Sequence, residues 1–356
     1  MEPVIGFLEI HEKGFGFLRN IGSNFDPSPE DTYVPLTLIK KLNLKEGLLI
    51  EGLGVPGDAR QSNLKLIRVE KINNSDCKAY AGVKPFYDQT SIDPTERFHL
   101  AQDDDDTTGK ALNLIAPMGK GQRGLIVAPP KSGKTTILKH VANSILINHP
   151  DAVLFVLLVD ERPEEVTDFR RDLEDAFVLS SSADQSINQH LRITKLTMNT
   201  AMRCAETGYD AVVLIDSLTR MSRAFNTDTD SGGKTLSGGL GANALEIPRR
   251  YFGAARNLEG KGSLTNLATI LINTGSRMDD VIFQEFKGTG NMDLVLSREC
   301  AEKRIWPAIN INQSGTRKEH LLLNAKQQQE SIKIRRGLSR RNETDAMAAL
   351  LEHIEG

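Results

Sequence analysis

The sequence has little cysteine: Cys77, Cys204 and Cys300 are the three in 356 residues, and none forms a CxxC pair. Neither a zinc site nor a disulfide framework is indicated, and a reducing interior is the simpler setting. Long hydrophobic runs are missing. The longest, Ala152–Val159, is far too short to cross a bilayer, and the N-terminus carries no apolar leader. A cytoplasmic protein without membrane contact is the expectation. Charge of one sign is also missing. Lys and Arg number 44 against 47 Asp and Glu, for a net charge of -3. Any nucleic-acid site must therefore be a local patch. No repeat of 20 to 50 residues is visible.

What is there suits a globular chain: 39% hydrophobic and 26% charged residues. Its length allows about two domains of ~150 residues. Residues 4 to about 72 read as short strands, including Val4–Ile10 and Phe15–Leu18, separated by turns such as His11-Glu12-Lys13-Gly14. They predict a small all-β barrel of the OB-fold or cold-shock kind over residues 1–80. Residues 81–110, with Pro85, Pro94 and the acidic run Asp103–Asp106, predict a linker, the acids being solvated. From 111 to 356 the pattern is α/β. Gly124–Ala128, Ala152–Val159, Ala211–Ile215 and Leu267–Ile272 are continuous apolar strands between amphipathic helices. They predict a mostly parallel sheet covered on both faces. Lys333, Arg335, Arg336, Arg340 and Arg341 read as a solvated basic helix face.

The string Ala128-Pro129-Pro130-Lys131-Ser132-Gly133-Lys134-Thr135, followed by Thr136, lies between a predicted strand and a predicted helix. That is the context of a P-loop, which predicts an ATP site. Backbone N–H groups and the helix N-terminus form a phosphate cradle. Lys134 is the candidate for the β- and γ-phosphates and Thr135 for Mg²⁺. Ala128 replaces the usual first glycine and is tolerated where φ is negative. Asp216 and Glu161 each end a predicted strand, where open α/β sheets bind ligands. Asp216 suits Mg²⁺, and Glu161 suits the attacking water, although Asp160, Glu164 and Glu165 are near alternatives.

Two regions suit RNA. In Lys13-Gly14-Phe15-Gly16-Phe17-Leu18, Phe15 and Phe17 share one face of a strand and form a stacking platform, with Arg19 and Tyr33 adding charge and a ring. The small Gly14 and Gly16 are expected to let bases approach. The loops Ser231-Gly232-Gly233-Lys234 and Phe286-Lys287-Gly288-Thr289-Gly290-Asn291 each carry a lysine that could follow a phosphate backbone, or are plain surface turns.

Long strings in order then resemble one family. They are residues 121–131, Asp160-Glu161-Arg162-Pro163-Glu164-Glu165-Val166-Thr167, Asp216-Ser217-Leu218-Thr219-Arg220, residues 251–257, residues 285–292 and Ser314-Gly315-Thr316-Arg317-Lys318-Glu319. From about residue 6 to about 350 the chain resembles the Rho transcription terminators. The resemblance implies a homohexameric 5′-to-3′ RNA translocase with a RecA-like motor that dislodges RNA polymerase. It implies phosphate and Mg²⁺ contacts from Lys131, Lys134 and Thr135, Glu161 as catalytic carboxylate and Asp216 as second acid. It implies Arg162 and Arg220 as supports of the site, and Trp306 where the family stacks a phenylalanine on adenine. Arg317 corresponds to the arginine finger reaching the neighbouring subunit's ATP, and Arg304 to another interfacial arginine. Lys234 falls in the Q-loop, and Lys287 with Gly288 in the R-loop, which hold RNA in the central channel.

Two departures stand out. The barrel begins almost at Met1, where the family usually has a helical subdomain, so a shortened or divergent relative is expected. Where an acid and a second tyrosine are expected for a cytosine pocket, the chain has Gln61, Ser62 and Asn63, and cytosine selectivity is not carried over. Two alternatives stay open: a ring ATPase that moves single-stranded DNA, and a non-catalytic RNA-binding subunit. The joint presence of Lys134, Glu161, Asp216 and Arg317 speaks against the second.

Overall fold

A computed structural model of the chain describes residues 1–57, 63–228, 237–241 and 243–355. The N-terminal strands are β1 (Glu2–Ile10), β2 (Gly16–Arg19), β3 (Thr32–Val34), β4 (Leu49–Pro56), β5 (Leu64–Ile72) and β6 (Ser75–Asp76), in the order β3-β2-β1-β4-β5-β6. A parallel bridge from Tyr33 to Lys65 joins β3 to β5 and closes the barrel. Strand alternation turns Val4 and Leu8 of β1 inward with Leu18, Val34, Ile50 and Leu66, and these make its core. The expected small barrel is present.

The second sheet is built from β7 (Ser91–Ile92), β8 (Arg123–Ala128), β9 (Val153–Glu161), β10 (Phe177–Ser182), β11 (Asp210–Asp216), β12 (Arg256–Leu258), β13 (Ser263–Leu271), β14 (Met292–Val295) and β15 (Gly315–Thr316). Its order is β10-β9-β11-β13-β8-β14-β15. The strands from β10 to β14 pair in parallel, and β15 adds an antiparallel edge. The alternation of β9 explains its uninterrupted apolar run. Leu154, Val156 and Leu158 enter one core with the helix Lys134–Asn148, while Phe155, Leu157 and Val159 enter the other with the helix Ile187–Glu206. A strand buried on both faces has no polar side to show.

Three segments carry contacts beyond their sequence reading. Residues 81–110, read as a linker, are largely exposed but anchored: Phe86, Phe98 and Leu100 are buried, and β7 pairs with β12. A few buried side chains suffice here, and a low average apolar content conceals them. Asp103, Asp104 and Asp105 are exposed as expected, and Asp106 ends the run as a cap, accepting from Gly109 N and from Gln102 N, both at 2.9 Å. Arg335, read as solvated, donates to Ser314 O at 3.0 Å and to Ile115 O, pinning the helix Ala325–Leu338 to the core.

The barrel is seated on the α/β domain through Phe25. This fully buried ring lies in that domain's core cluster and meets Phe7 edge-on at 5.6 Å. Asn24 adds a backbone-like clasp on the sheet edge: its Nδ2 donates to Ser180 O at 2.9 Å and its Oδ1 accepts from Ser180 N at 2.7 Å. Removing the Phe25 ring by Phe25→Ala is expected to destabilise the chain by about 3–5 kcal/mol. Chemical denaturation checks this, and a loss under about 1 kcal/mol would mean that the ring is not part of the folding core.

Candidate nucleotide and RNA sites

The P-loop connects β8 to the helix Lys134–Asn148. Ala128 lies in β8 with extended backbone, so the missing first glycine costs nothing there. Positive φ occurs at Lys131 (62°) and Gly133 (86°), on either side of Ser132. Such alternation makes a concave nest of N–H groups suited to phosphate. Ser132 is buried and its Oγ donates to Pro129 O at 2.7 Å, so this hydroxyl closes the loop from within. Lys131 and Thr136 are exposed, and Thr135 is half-buried at the helix start. Trp306 packs onto the loop: a Cβ added at Gly133 would stand 2.5 Å from Trp306 Cζ3. The rest of its ring remains open, the residue being 42% exposed.

Below the loop, four charged side chains converge at the carboxyl ends of β9 and β11. Lys134 Nζ donates to Asp216 Oδ1 and lies 3.3 Å from Glu161 Oε1. Arg220, on the helix Leu218–Asp228, lies 3.1 Å from Glu161 Oε2 and donates to Asp160 O. Thr269 of β13, which the sequence reading passed over, donates to Asp216 Oδ1 at 2.7 Å. The only sequence signal for it was a lone hydroxyl in the apolar run Leu267–Ile272. Glu161 and Asp216 are both buried; Arg220 matches Glu161 Oε2, whereas Asp216 Oδ2 has no partner among the described residues. A buried carboxylate oxygen of that kind is costly unless a cation or water completes it. The unmatched Asp216 Oδ2 and the Thr135 hydroxyl at the helix start are hard oxygen donors of the kind Mg²⁺ takes, and they would hold it here. Arg162 is exposed at the N-cap of the helix Pro163–Asp172, beside Glu161.

Burial raises the Glu161 pKa from 4.5 to about 7, and the neighbouring Asp216 charge pushes the same way against Lys134 and Arg220. Lys134 is pulled down by burial, but Asp216 and Glu161 outweigh this and hold it above its ordinary value. Lys134 is thus a fixed cation near neutral pH, while Glu161 is poised to exchange a proton.

On the barrel, Phe15, Phe17 and Tyr33 form a triangle of rings with centroids 5.6 to 5.9 Å apart. Tyr33 pairs directly with Phe17 across β2 and β3. His11, read from sequence as a turn residue, stacks on Phe15 at 4.6 Å and 7°, so the platform carries a fourth ring. Its Nδ1 accepts from Lys13 N at 3.2 Å, leaving Nε2–H outward. The neighbouring glycines do not serve base approach. A Cβ at Gly16 would meet Glu9 O and Leu8 Cδ1 at 2.7 Å, inside the barrel, and one at Gly14 would meet Leu36 Cδ1 at 2.8 Å. Arg19 lies over the Phe17 ring at 4.9 Å, but its guanidinium is held by Glu9 at 2.5 Å and by Asp31. It braces the platform more than it adds charge. Asn63 donates to Asp31 O at 2.9 Å, while Gln61 and Ser62 lie outside the described residues.

The remaining candidates lie elsewhere. Lys287 and Gly288 are exposed where the helix Arg277–Lys287 ends, and Lys287 Nζ sits 5.6 Å from the Phe283 centroid. Lys234 and residues 231–233 lie outside the described residues. Arg317 is exposed just after β15, and its N donates to Asn291 O at 2.9 Å. Asn291 N in turn meets Arg123 O at the start of β8, whereas the P-loop leaves the end of β8. β8 has 6 residues, and their rise separates the two ends by about 16 Å. Arg317 is thus remote from its own chain's Lys134. Arg304, exposed and with φ of 60°, precedes Trp306 on the nucleotide side.

Comparison with known proteins agrees with both halves. Residues 4–78 match the RNA-binding domain of Rho termination factor, and residues 109–316 the nucleotide-binding domain of the ATP synthase alpha/beta family. The chain is 46% identical over 352 residues to transcription termination factor Rho of Cereibacter sphaeroides, covering 98% of this chain and 83% of that protein. With Rho of Thermotoga maritima the identity is 46% over 349 residues, covering 98% and 82%. Among solved structures, a prototypical type III secretion ATPase of pathogenic bacteria superposes with a TM-score of 0.61 at 22% identity, covering 70% of each chain. The type III secretion ATPase EscN of enteropathogenic E. coli superposes with a TM-score of 0.60 at 21% identity, covering 74% of this chain and 67% of that one. These structures share the fold.

The raised Glu161 pKa gives a pH prediction. If the ionised carboxylate is the base, kcat/KM for ATP should fall about tenfold per pH unit below about 7. A flat profile between pH 5.5 and 7.5 would remove Glu161 from that role. The effect on folding has the opposite sense. The folded-state pKa exceeds the ordinary 4.5, so this site's stabilisation is full below 4.5 and is lost as pH rises through about 7. Glu161→Gln should therefore abolish turnover while melting no lower than the parent chain at pH 8.

Proposed function

The chain belongs to the family of transcription termination factor Rho, and from that premise we propose how its residues divide the work of an RNA-driven ATPase. It is an RNA-binding, ATP-hydrolysing protein that terminates transcription. In our reading residues 1–80 form the outer RNA-binding domain, 81–110 connect it to the motor, and 111–356 form the motor. Six copies assemble into a ring in the cytoplasm with ATP at the subunit seams. Nascent RNA binds first on Phe15, Phe17 and Tyr33, then threads the ring past Lys287, Gly288 and Lys234. Translocation runs 5′ to 3′ and dislodges RNA polymerase.

The observation that carries this reading is the convergence of Lys134, Glu161, Asp216 and Arg220 beneath the P-loop, with Asp216 Oδ2 buried and unmatched. Pro130 to Thr136 cradle the phosphates, and Lys134 leaves Asp216 for the β- and γ-phosphate oxygens. Thr135 and Asp216 would hold Mg²⁺, which would supply neutralisation of phosphate charge. Glu161 orients the attacking water and takes its proton, and Arg220 keeps Glu161 aimed. Arg162 supports the same corner. Trp306 offers the open part of its ring to adenine, and Arg304 borders the seam.

Arg317 acts on the next subunit. A guanidinium that arrives from a neighbour stabilises charge in the transition state and ties turnover to assembly. Arg317→Ala is therefore expected to lower kcat by about 10³-fold or more with ATP affinity changed only a few-fold. Nucleotide binding by fluorescence beside steady-state turnover checks this. Equal losses in both would show a ground-state contact instead.

The reading itself is tested by ATP hydrolysis without nucleic acid and with poly(C), poly(U) or single-stranded DNA, beside Lys134→Ala. RNA-stimulated turnover that disappears in Lys134→Ala is the expected result. Stimulation by DNA as strong as by RNA would overturn the RNA assignment, and RNA binding without stimulated turnover would overturn the motor.

A further inference from the structure

Glu9 stands between the RNA platform and the motor. It lies on β1 opposite Phe17, and its Oε2 accepts from Arg19 Nε at 2.5 Å. The same carboxylate receives a bidentate grip from the motor: Arg192 Nε to Oε1 at 2.6 Å and Arg192 Nη2 to Oε2 at 2.9 Å. Arg192 belongs to the helix Ile187–Glu206 and also donates to Phe25 O, the backbone of the ring that seats the barrel. One carboxylate is thus shared by two guanidiniums on opposite sides of the domain boundary. Together they hold the carboxyl of Glu9 below its ordinary range against the opposing effect of burial.

The motor end of this contact leads to the catalytic corner. Ser186 caps the helix that carries Arg192. Upstream, Ser182 pairs with Glu161, and Ala183 N donates to Glu161 O at 2.9 Å. The clasp of Asn24 on Ser180 falls on the same strand. A shift of the barrel loop or of this helix therefore bears on the backbone that carries Glu161.

We propose that Arg192 is a positioning residue that couples RNA on the platform to ATP turnover, by competing with Arg19 for Glu9. RNA stacked on Phe15, Phe17 and Tyr33 brings phosphates to the side of the platform where Arg19 lies. A phosphate that engages Arg19 draws it from Glu9, and Glu9 then closes fully on Arg192. Arg19 also gives up its hold on the Phe17 ring, so the base takes a place that the cation had occupied. Bidentate geometry makes the Arg192 contact directional, which a lysine reproduces only in charge. This deepens the functional reading given above and rests on it.

The test uses the full chain in its assembled state with poly(C) as the RNA. RNA-free turnover, RNA-stimulated turnover and RNA affinity are measured for the parent chain, Arg192→Ala, Arg192→Lys, Phe17→Ala and the double variant Phe17→Ala with Arg192→Ala. Arg192→Ala should keep RNA-free turnover and bind poly(C) within about threefold, yet lose RNA-stimulated kcat by about tenfold. Arg192→Lys should recover part of that loss. At saturating RNA the double variant should lose no more stimulated kcat than Arg192→Ala alone, since both changes break one route. Stimulation intact in Arg192→Ala overturns the coupling, as do losses that add in the double variant. A drop in stimulation matched by the drop in affinity would mean that Arg192 merely supports the platform. A parent chain that RNA does not stimulate would remove the underlying functional reading and the coupling with it.

Discussion

The ammonium of Lys134 lying between two buried carboxylates is the constraint around which the motor is arranged. Glu161 and Asp216 end adjacent parallel strands, so their separation is set by the sheet and not by loop conformation. Two carboxylates at that spacing in a dry site cannot both stay ionised without a cation. Lys134 provides it, and in the proposed mechanism it is also the group that turns to the ATP phosphates, so that nucleotide binding would exchange one counter-ion for another. Thr269 and Arg220 hold the carboxylate oxygens in place.

The barrel is joined to this corner in a way that a beaded two-domain chain would not be. Phe25 is part of the motor's own core, and Asn24 completes the exposed edge of β10 with side-chain amide groups in place of a further strand. An edge strand otherwise offers unpaired backbone groups to any passing chain. The same contact therefore blunts the edge and fixes the platform's orientation. Asn73 Nδ2, which donates to Arg203 O at 2.9 Å, repeats the device further along the helix Ile187–Glu206.

Much of this was legible in the sequence, for identifiable reasons. Continuous apolar runs such as Ala211–Ile215 have one reading in an α/β context, and the P-loop string carries its own geometry. Phe15 and Phe17 were legible because alternation fixes which face they share. What escaped depends on partners far away in the chain. Nothing in the neighbourhood of Phe25 says that it enters another domain's core. His11 reads as a turn residue until the turn folds its ring onto Phe15. Arg19 reads as a free charge until Glu9 and Asp31 close on it. The spacing of glycines at 14 and 16 suggested room for bases, yet strand alternation turns Gly16 into the barrel.

The neutralised state of Arg19 also resolves how a chain of net charge -3 serves RNA. In the proposed reading this guanidinium, already matched by carboxylates, reaches a phosphate only by giving up its bond to Glu9, so the platform's affinity comes mainly from stacking, at about 1–3 kcal/mol per base. Stacking is short-ranged and tolerant of salt. Among the described residues no carboxylate pairs with Lys287: the nearby carboxyl of Asp293 is raised by burial, with Arg317 and Lys287 pulling it down. Positive charge is concentrated there, where Arg123 is also held below its ordinary value by burial and by Arg256 and Arg317. Two chemically different grips follow from one sequence. In the proposed reading the outer one holds RNA chiefly through its bases, and the inner one holds phosphates and can slide. A translocating motor needs that division, because a grip built on stacking at every step would resist the movement that hydrolysis drives.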